Sequence, residues 1–89
     1  EGPAASRSMK VSFTESFRRS YRNAPIRVRR AFDKQIAHLL RDHRHPSLRA
    51  KKYDESRDIW QARVDGGWRF YFRSDGDTFI LLDIIPHPK

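Results

Sequence analysis

Two arginines, Arg63 and Arg69, flank the glycine turn Asp65-Gly66-Gly67 in the last third of the chain, IWQARVDGGWRFYFRSDGDTFILLDIIPHPK. The runs on either side alternate with period 2. Trp60, Ala62 and Val64 share one face of the first run, and Trp68, Phe70 and Phe72 share one face of the second. Gln61, Arg63, Arg69, Tyr71 and Arg73 fall on the opposite faces. Residues directly across an antiparallel pair lie on the same side of the sheet. A three-residue loop with Gly67 left-handed would pair Val64 with Trp68 and Ala62 with Phe70. It would also set Arg63 opposite Arg69 and Gln61 opposite Tyr71. Two guanidinium groups held on one rigid face repel each other, and a bound anion relieves that repulsion. Guanidinium groups fork onto phosphate oxygens, so both residues are candidate phosphate contacts. The plain alternative is a solvated face whose arginines serve solubility.

A proton donor or acceptor would complete such a site. His87 follows the last apolar run, exposed by its position, and histidine as a residue type changes charge near neutral pH. His45, in the basic segment, is the reserve candidate for proton transfer. Tyr71 is placed either to stack on a base or to pack, with Arg73 as a further RNA contact on its face. From Arg41 to Lys52 the chain carries five Lys/Arg and one Asp, a net +4 and half of the formal +8. Within that stretch Arg49, Lys51 and Lys52 would track a nucleic-acid backbone if they lie beside the arginine face. A charge run alone is more often a solvated loop. His43-x-His45, with His38 nearby, offers no third ligand at useful spacing, so no metal site is expected. No glycine-rich phosphate loop, paired carboxylate or nucleophile elbow is present.

The elements that must position these residues follow from the rest of the chain. Lys10 to Phe13 is a short candidate strand, and Thr14 a candidate N-cap with Glu15 at the positive end of the next helix. Phe17 and Tyr21 form an i,i+4 apolar pair before Ala24-Pro25 breaks that helix. Val28, Phe32, Ile36, Leu39 and Leu40 then make one helical stripe. His45-Pro46 ends the helical region, and Tyr53 to Asp58 reads as a polar loop. Thr78 to Ile85 is apolar on both faces, as a central strand would be. The order β-α-α-β-β-β predicts an α+β domain, a helical hairpin on one antiparallel-rich sheet.

Eighty-nine residues make one small domain. Residues 1–8, before Met9, lack periodicity and read as a remnant of cloning, with 9–89 as the single domain. The absence of cysteine excludes disulfides and thiolate metal sites. No apolar run approaches the roughly 20 residues of a membrane helix. With 19 Lys+Arg against 11 Asp+Glu, the charge points to a polyanionic partner, nucleic acid first and an acidic protein second.

The segments AFDKQIAHLL, HPSLRAKK, IWQARV, GWRFYF and LLDIIPH, in this order and spacing, resemble the RelE/ParE superfamily of bacterial type II toxins. The likeness covers nearly the whole chain from Met9. It implies a compact α+β fold, a cytoplasmic location in a bacterium, a cognate antitoxin as partner, and an active site on a concave sheet face. In the RelE, YoeB and YafQ-like branches it implies an endoribonuclease that cleaves messenger RNA on the ribosome without a metal or cofactor, with contacts to 16S ribosomal RNA. On that likeness Arg69 contacts the phosphate and Arg63 assists. His87 transfers a proton, and Lys51 and Lys52 grip RNA. The chain departs from the pattern in lacking a C-terminal tyrosine, and in having Ser47 where some relatives carry a glutamate. These departures leave the general base unassigned. The alternatives are a ParE-like DNA gyrase inhibitor with no RNA chemistry, or an inactive toxin-like relative.

Overall fold

Thr14 is where the first strand turns into the first helix. A computed structural model describes residues 9–87 of the chain, so the expected remnant at 1–8 lies outside the described residues. Strand β1 is Lys10–Phe13 and helix α1 is Glu15–Asn23. The Thr14 hydroxyl oxygen accepts the Phe17 N–H at 3.1 Å, satisfying one of the free donors of the first turn. Helix α1 stops at Ala24, since the residue before a proline avoids the helical region. Pro25 stands at the N-cap of α2, Ile26–Arg41. A short 3-10 turn, Pro46–Leu48, then leads into strands β2 (Lys51–Asp54), β3 (Ile59–Asp65), β4 (Trp68–Asp75) and β5 (Thr78–Pro86).

The five strands form one sheet in the order β1-β5-β4-β3-β2. Strand β1 runs parallel to β5, and the other pairs are antiparallel. Strand β5, apolar on both faces, lies between β1 and β4 as its composition requires. The helical hairpin covers one side, with α1 against β5 and α2 against β3. Phe17, Val28, Phe32 and Leu39 meet Ala62, Val64, Phe70, Phe72, Phe79, Leu81 and Ile84 in the core. The Phe32 ring meets Phe70 edge-on, with centroids 5.2 Å apart. Trp60, Ile36 and Leu40 pack partly buried against the same cluster. Among the described residues no helix is long and apolar enough to cross a membrane.

Three local features differ from the sequence reading. The segment expected as a basic and polar loop contains a strand, β2, whose four residues KKYD are too few and too charged to show a period. The β3–β4 connection is the two-residue turn Gly66-Gly67, and Trp68 pairs with Asp65 rather than Val64. Gly67 has no positive φ. Among the described glycines only Gly76 does, at 62°. A β-bulge between Arg63 and Asp65 supplies the extra residue that a three-residue loop was expected to supply, and the register beyond it is the expected one. A second bulge lies in β5, where Tyr71 pairs with Asp83 and Phe72 with Leu81, leaving Leu82 unpaired.

Candidate functional site

The uncovered side of the sheet carries the expected row: Arg63 opposite Arg69 and Gln61 opposite Tyr71. Both arginines reach toward the β3–β4 turn. Arg69 Nη1 donates to the carbonyl oxygens of Asp65 at 2.8 Å and Trp68 at 2.9 Å. This fixes the guanidinium on the strand end and leaves its Nε and Nη2 donors without a bond among the described residues. Arg63 runs alongside, with its Nη2 3.9 Å from where a side chain on Gly66 would begin. His87 arrives at the same turn, because its backbone N–H donates to Gly67 O at 2.8 Å. Arg69 pairs with Ile85 and Trp68 with Pro86, so the next pair, Gly67 and His87, falls on the Arg69 side. The turn itself is braced, with Gly67 N–H on Asp65 Oδ1 at 2.8 Å and Arg27 Nη1 on Asp65 Oδ2 at 3.2 Å.

Aromatic groups flank the arginines. Tyr71 O–H donates to Gln61 Oε1 at 3.1 Å, and the exposed Tyr53 ring sits edge-on to Tyr71 at 4.9 Å. Burial first, then Tyr53, raises the Tyr71 phenol above its usual value, and Arg69 opposes this. Tyr71 therefore stays a neutral donor at physiological pH. Lys51, exposed, pairs with Gln61 on the same side, and Arg73, exposed, lies one row further from the turn, opposite Ile80. Arg63, Arg69, Tyr71, Arg73, Lys51 and His87 are thus gathered on one surface.

Three other expected residues are placed elsewhere. Lys52 pairs with Trp60, on the helix-covered side, and its ammonium lies 4.9 Å from the Trp60 ring centroid. Asp58 holds it at 2.8 Å and Glu55 at 3.8 Å. That arrangement makes Lys52 a brace of the β2–β3 turn. His45 caps the 3-10 turn, its Nδ1 accepting from Ser47 N–H at 3.2 Å with Ser47 Oγ at 2.9 Å. Its ring stacks on His38 of α2, centroids 3.8 Å apart. Burial, then His45, Arg41 and Lys34, lower the His38 pKa below the ordinary 6.5. Arg49, left-handed at φ 46°, lines a cleft of about 530 Å³ with Lys34, His38 and Arg63 at the β3 edge. Among the described residues no three His, Asp or Glu side chains gather to hold a metal ion.

Gln35 was not anticipated, because it falls between Phe32 and Leu39 on the buried stripe of α2. Its Nε2 donates to Arg63 O at 2.7 Å and to Ser47 O at 3.0 Å, and its Oε1 accepts from Ser47 Oγ at 3.0 Å. Strand β2 pairs with β3 only as far as Gln61, and Gln35 satisfies a carbonyl beyond that point. Its polarity inside an apolar stripe was the available signal. Asp83 was also passed over, within a strand read as apolar on both faces.

No protein-family model and no curated protein sequence matches the chain. Solved structures do. A YoeB/ParE toxin from Agrobacterium tumefaciens is 17% identical, covers 90% of this chain and 100% of its own, and superposes with a TM-score of 0.74. A chain of the RelBE2 toxin–antitoxin complex from Mycobacterium tuberculosis is 22% identical, with coverages of 91% and 100% and a TM-score of 0.73. A chain of the E. coli DinJ–YafQ toxin–antitoxin complex is 10% identical, with coverages of 89% and 92% and a TM-score of 0.71. Two helices on a five-stranded mixed sheet is the fold of these RelE/ParE-like toxins, and this chain has it.

Proposed function

We propose that the protein is the toxin of a toxin–antitoxin pair and acts in the bacterial cytoplasm as an endoribonuclease on messenger RNA held by the ribosome. The observation that carries this reading is the meeting of Arg63, Arg69 and His87 at the β3–β4 turn, on the side of the sheet that the helices leave open. A phosphate seated there takes charge-assisted bonds from the free donors of Arg69, with Arg63 alongside. The ribose 2′-oxygen attacks the adjacent phosphorus, forming a 2′,3′-cyclic phosphate, and the P–O5′ bond breaks. Charge building on the phosphate oxygens is stabilised by donors already fixed in place, since Arg69 is anchored to two carbonyls and has little reorganisation to undergo. His87 supplies a proton to the departing 5′-oxygen. Tyr71, Tyr53, Lys51 and Arg73 offer stacking surfaces and cations to the flanking nucleotides. The antitoxin is an acidic segment that neutralises this face by covering the arginines.

Primer extension on messages from cells briefly expressing the protein tests this. Discrete breaks within translated codons are expected. Arg69→Ala is expected to slow cleavage on programmed ribosomes by about 100- to 1,000-fold, the usual cost of removing one such donor. Intact messages in growth-arrested cells, together with inhibited DNA gyrase, would overturn the reading.

A further inference from the structure

Asp83 occupies its place only because strand β5 is irregular. Leu81 and Ile84 are both fully buried, three residues apart, which a regular strand does not allow. The bulge at Leu82 resolves the conflict by pairing Asp83 with Tyr71, on the open side of the sheet. Thr14 pins that bulge. Its hydroxyl lies 3.0 Å from Leu81 O and 3.2 Å from Leu82 O, and its N–H donates to Leu81 O at 3.1 Å. One residue thus caps α1 and secures the bulged backbone just before Asp83.

From Asp83 the strand runs regularly to its end, so Asp83, Ile85 and His87 are i, i+2 and i+4 on one face, with Arg69 directly across from Ile85. Four residues of strand separate the Cα atoms of Asp83 and His87 by about 13 Å. A phosphate seated over Ile85 beside Arg69 would lie between them, within reach of side chains that extend toward it from both ends. The other carboxylates of β3 and β4 are committed or remote. Asp65 binds Arg27 and Gly67, and Asp75 lies at the far end, opposite Thr78. Asp83 makes no ion pair among the described residues, and its recorded bond, from Ile84 N–H to Oδ1 at 2.9 Å, leaves Oδ2 without one. Tyr71 is a poor base, being a phenol that donates to Gln61.

From this geometry we infer that Asp83 is the general base that accepts the proton of the attacking 2′-hydroxyl, with His87 the acid at the opposite end of the same strand. This rests on the nuclease reading above. The 2′-O–H proton passes to the Asp83 carboxylate as the 2′-oxygen bonds to phosphorus. The P–O5′ bond breaks, and the 5′-oxygen takes its proton from the His87 imidazolium. Asp83 leaves the step neutral as an acid and His87 neutral as an imidazole, and proton exchange with water restores both.

Asp83→Asn keeps the oxygen that accepts from Ile84 N–H, so the strand is undisturbed. Single-turnover cleavage on programmed ribosomes is measured for two messages, one natural and one with sulfur bridging at the 5′ position of the cleaved linkage. Sulfur departs without a proton, so it is expected to restore His87→Gln but not Asp83→Asn. The latter should remain about 100- to 10,000-fold slow on both messages. Wild-type cleavage with an equally active Asp83→Asn, or rescue of Asp83→Asn by sulfur, overturns the assignment of the base alone. A wild-type protein that cleaves no message overturns the nuclease reading and this assignment with it.

Discussion

Lys52 and Arg57, around the β2–β3 turn, are each matched by carboxylates, whereas Arg63 and Arg69, on the paired strands beside it, are matched by none among the described residues. All four are cations on or next to one sheet. Lys52 is held by Asp58 and Glu55, and Arg57 Nε lies 3.0 Å from Asp54 Oδ2. The arginines of β3 and β4 instead face each other, with Arg69 satisfied in part by backbone carbonyls that carry no net charge. The first pair braces the turn that carries it, and the second, held face to face on rigid strands, suits the anion that the proposed function places there. A count of Lys and Arg along the sequence merges the two groups. The difference lies in the carboxylates and is legible only once the strands are paired.

That contrast is sharpest at the acid of the proposed site. His87→Gln keeps polarity and approximate size but transfers no proton near neutrality. It is expected to lower single-turnover cleavage by about 100- to 10,000-fold while ribosome sedimentation with the variant is unchanged. Full activity would remove His87 from the chemistry and make the unpaired arginines a binding surface only. Arg63→Ala should cost less, about 10- to 100-fold in cleavage, in line with loss of about 1.5–3 kcal/mol for a hydrogen bond to a charged group. The loss should also flatten the salt dependence of RNA binding, because one phosphate contact fewer releases fewer counterions.

The paired region should respond to pH and hardly to RNA. Lys52→Ala is expected to leave cleavage as it is. Asp58 is depressed below 3.8 by its bond to Lys52, so its contribution to stability is complete above that value and lost as pH falls through the lower folded one. Lys52 is raised above 10.5 by the same bond, and its share persists below 10.5 and is lost as pH rises through the higher folded value. Thermal melts of Lys52→Ala should therefore depend less on pH at both extremes than those of the wild type. Identical pH dependence would dissolve the distinction between the two groups of cations.

Much of this arrangement could be read from residue types. Period-2 alternation through IWQARV and GWRFYF placed Arg63 against Arg69, because the apolar halves of both strands had to share the helix-covered side. Thr14 before a helix and Pro25 after one marked boundaries through backbone chemistry alone. The bulges were hidden, since an extra residue leaves no mark in composition. The one in β3 was mistaken for a left-handed glycine with the same effect on register. The one in β5 sets Asp83 on the open side of a strand read only as apolar on both faces. Strand β2 was hidden by its charge, and Lys52 looked free because its partners, Glu55 and Asp58, belong to the turn that folds back on it. Gln35 was not singled out, because helical spacing reports burial and says nothing of which backbone carbonyl waits there.

The strand that carries Ile85 and leads to His87 has a further consequence, for the order in which the molecule is made. Strand β5 sits between β1 and β4, yet it is synthesised after every other strand of the sheet. Among the described residues strand β1 has no neighbour but β5, and the Thr14 hydroxyl must find a carbonyl 67 residues further along the chain. Contacts of such separation form late and slowly. A chain still being translated can pair β2, β3 and β4, which adjoin in sequence, but it has no place for β1 and no Ile85 beside Arg69. The face proposed for RNA chemistry therefore lacks Asp83 and His87 until β5 has emerged. On the proposed function, the ribosome making this protein would be spared its activity until that strand is in place.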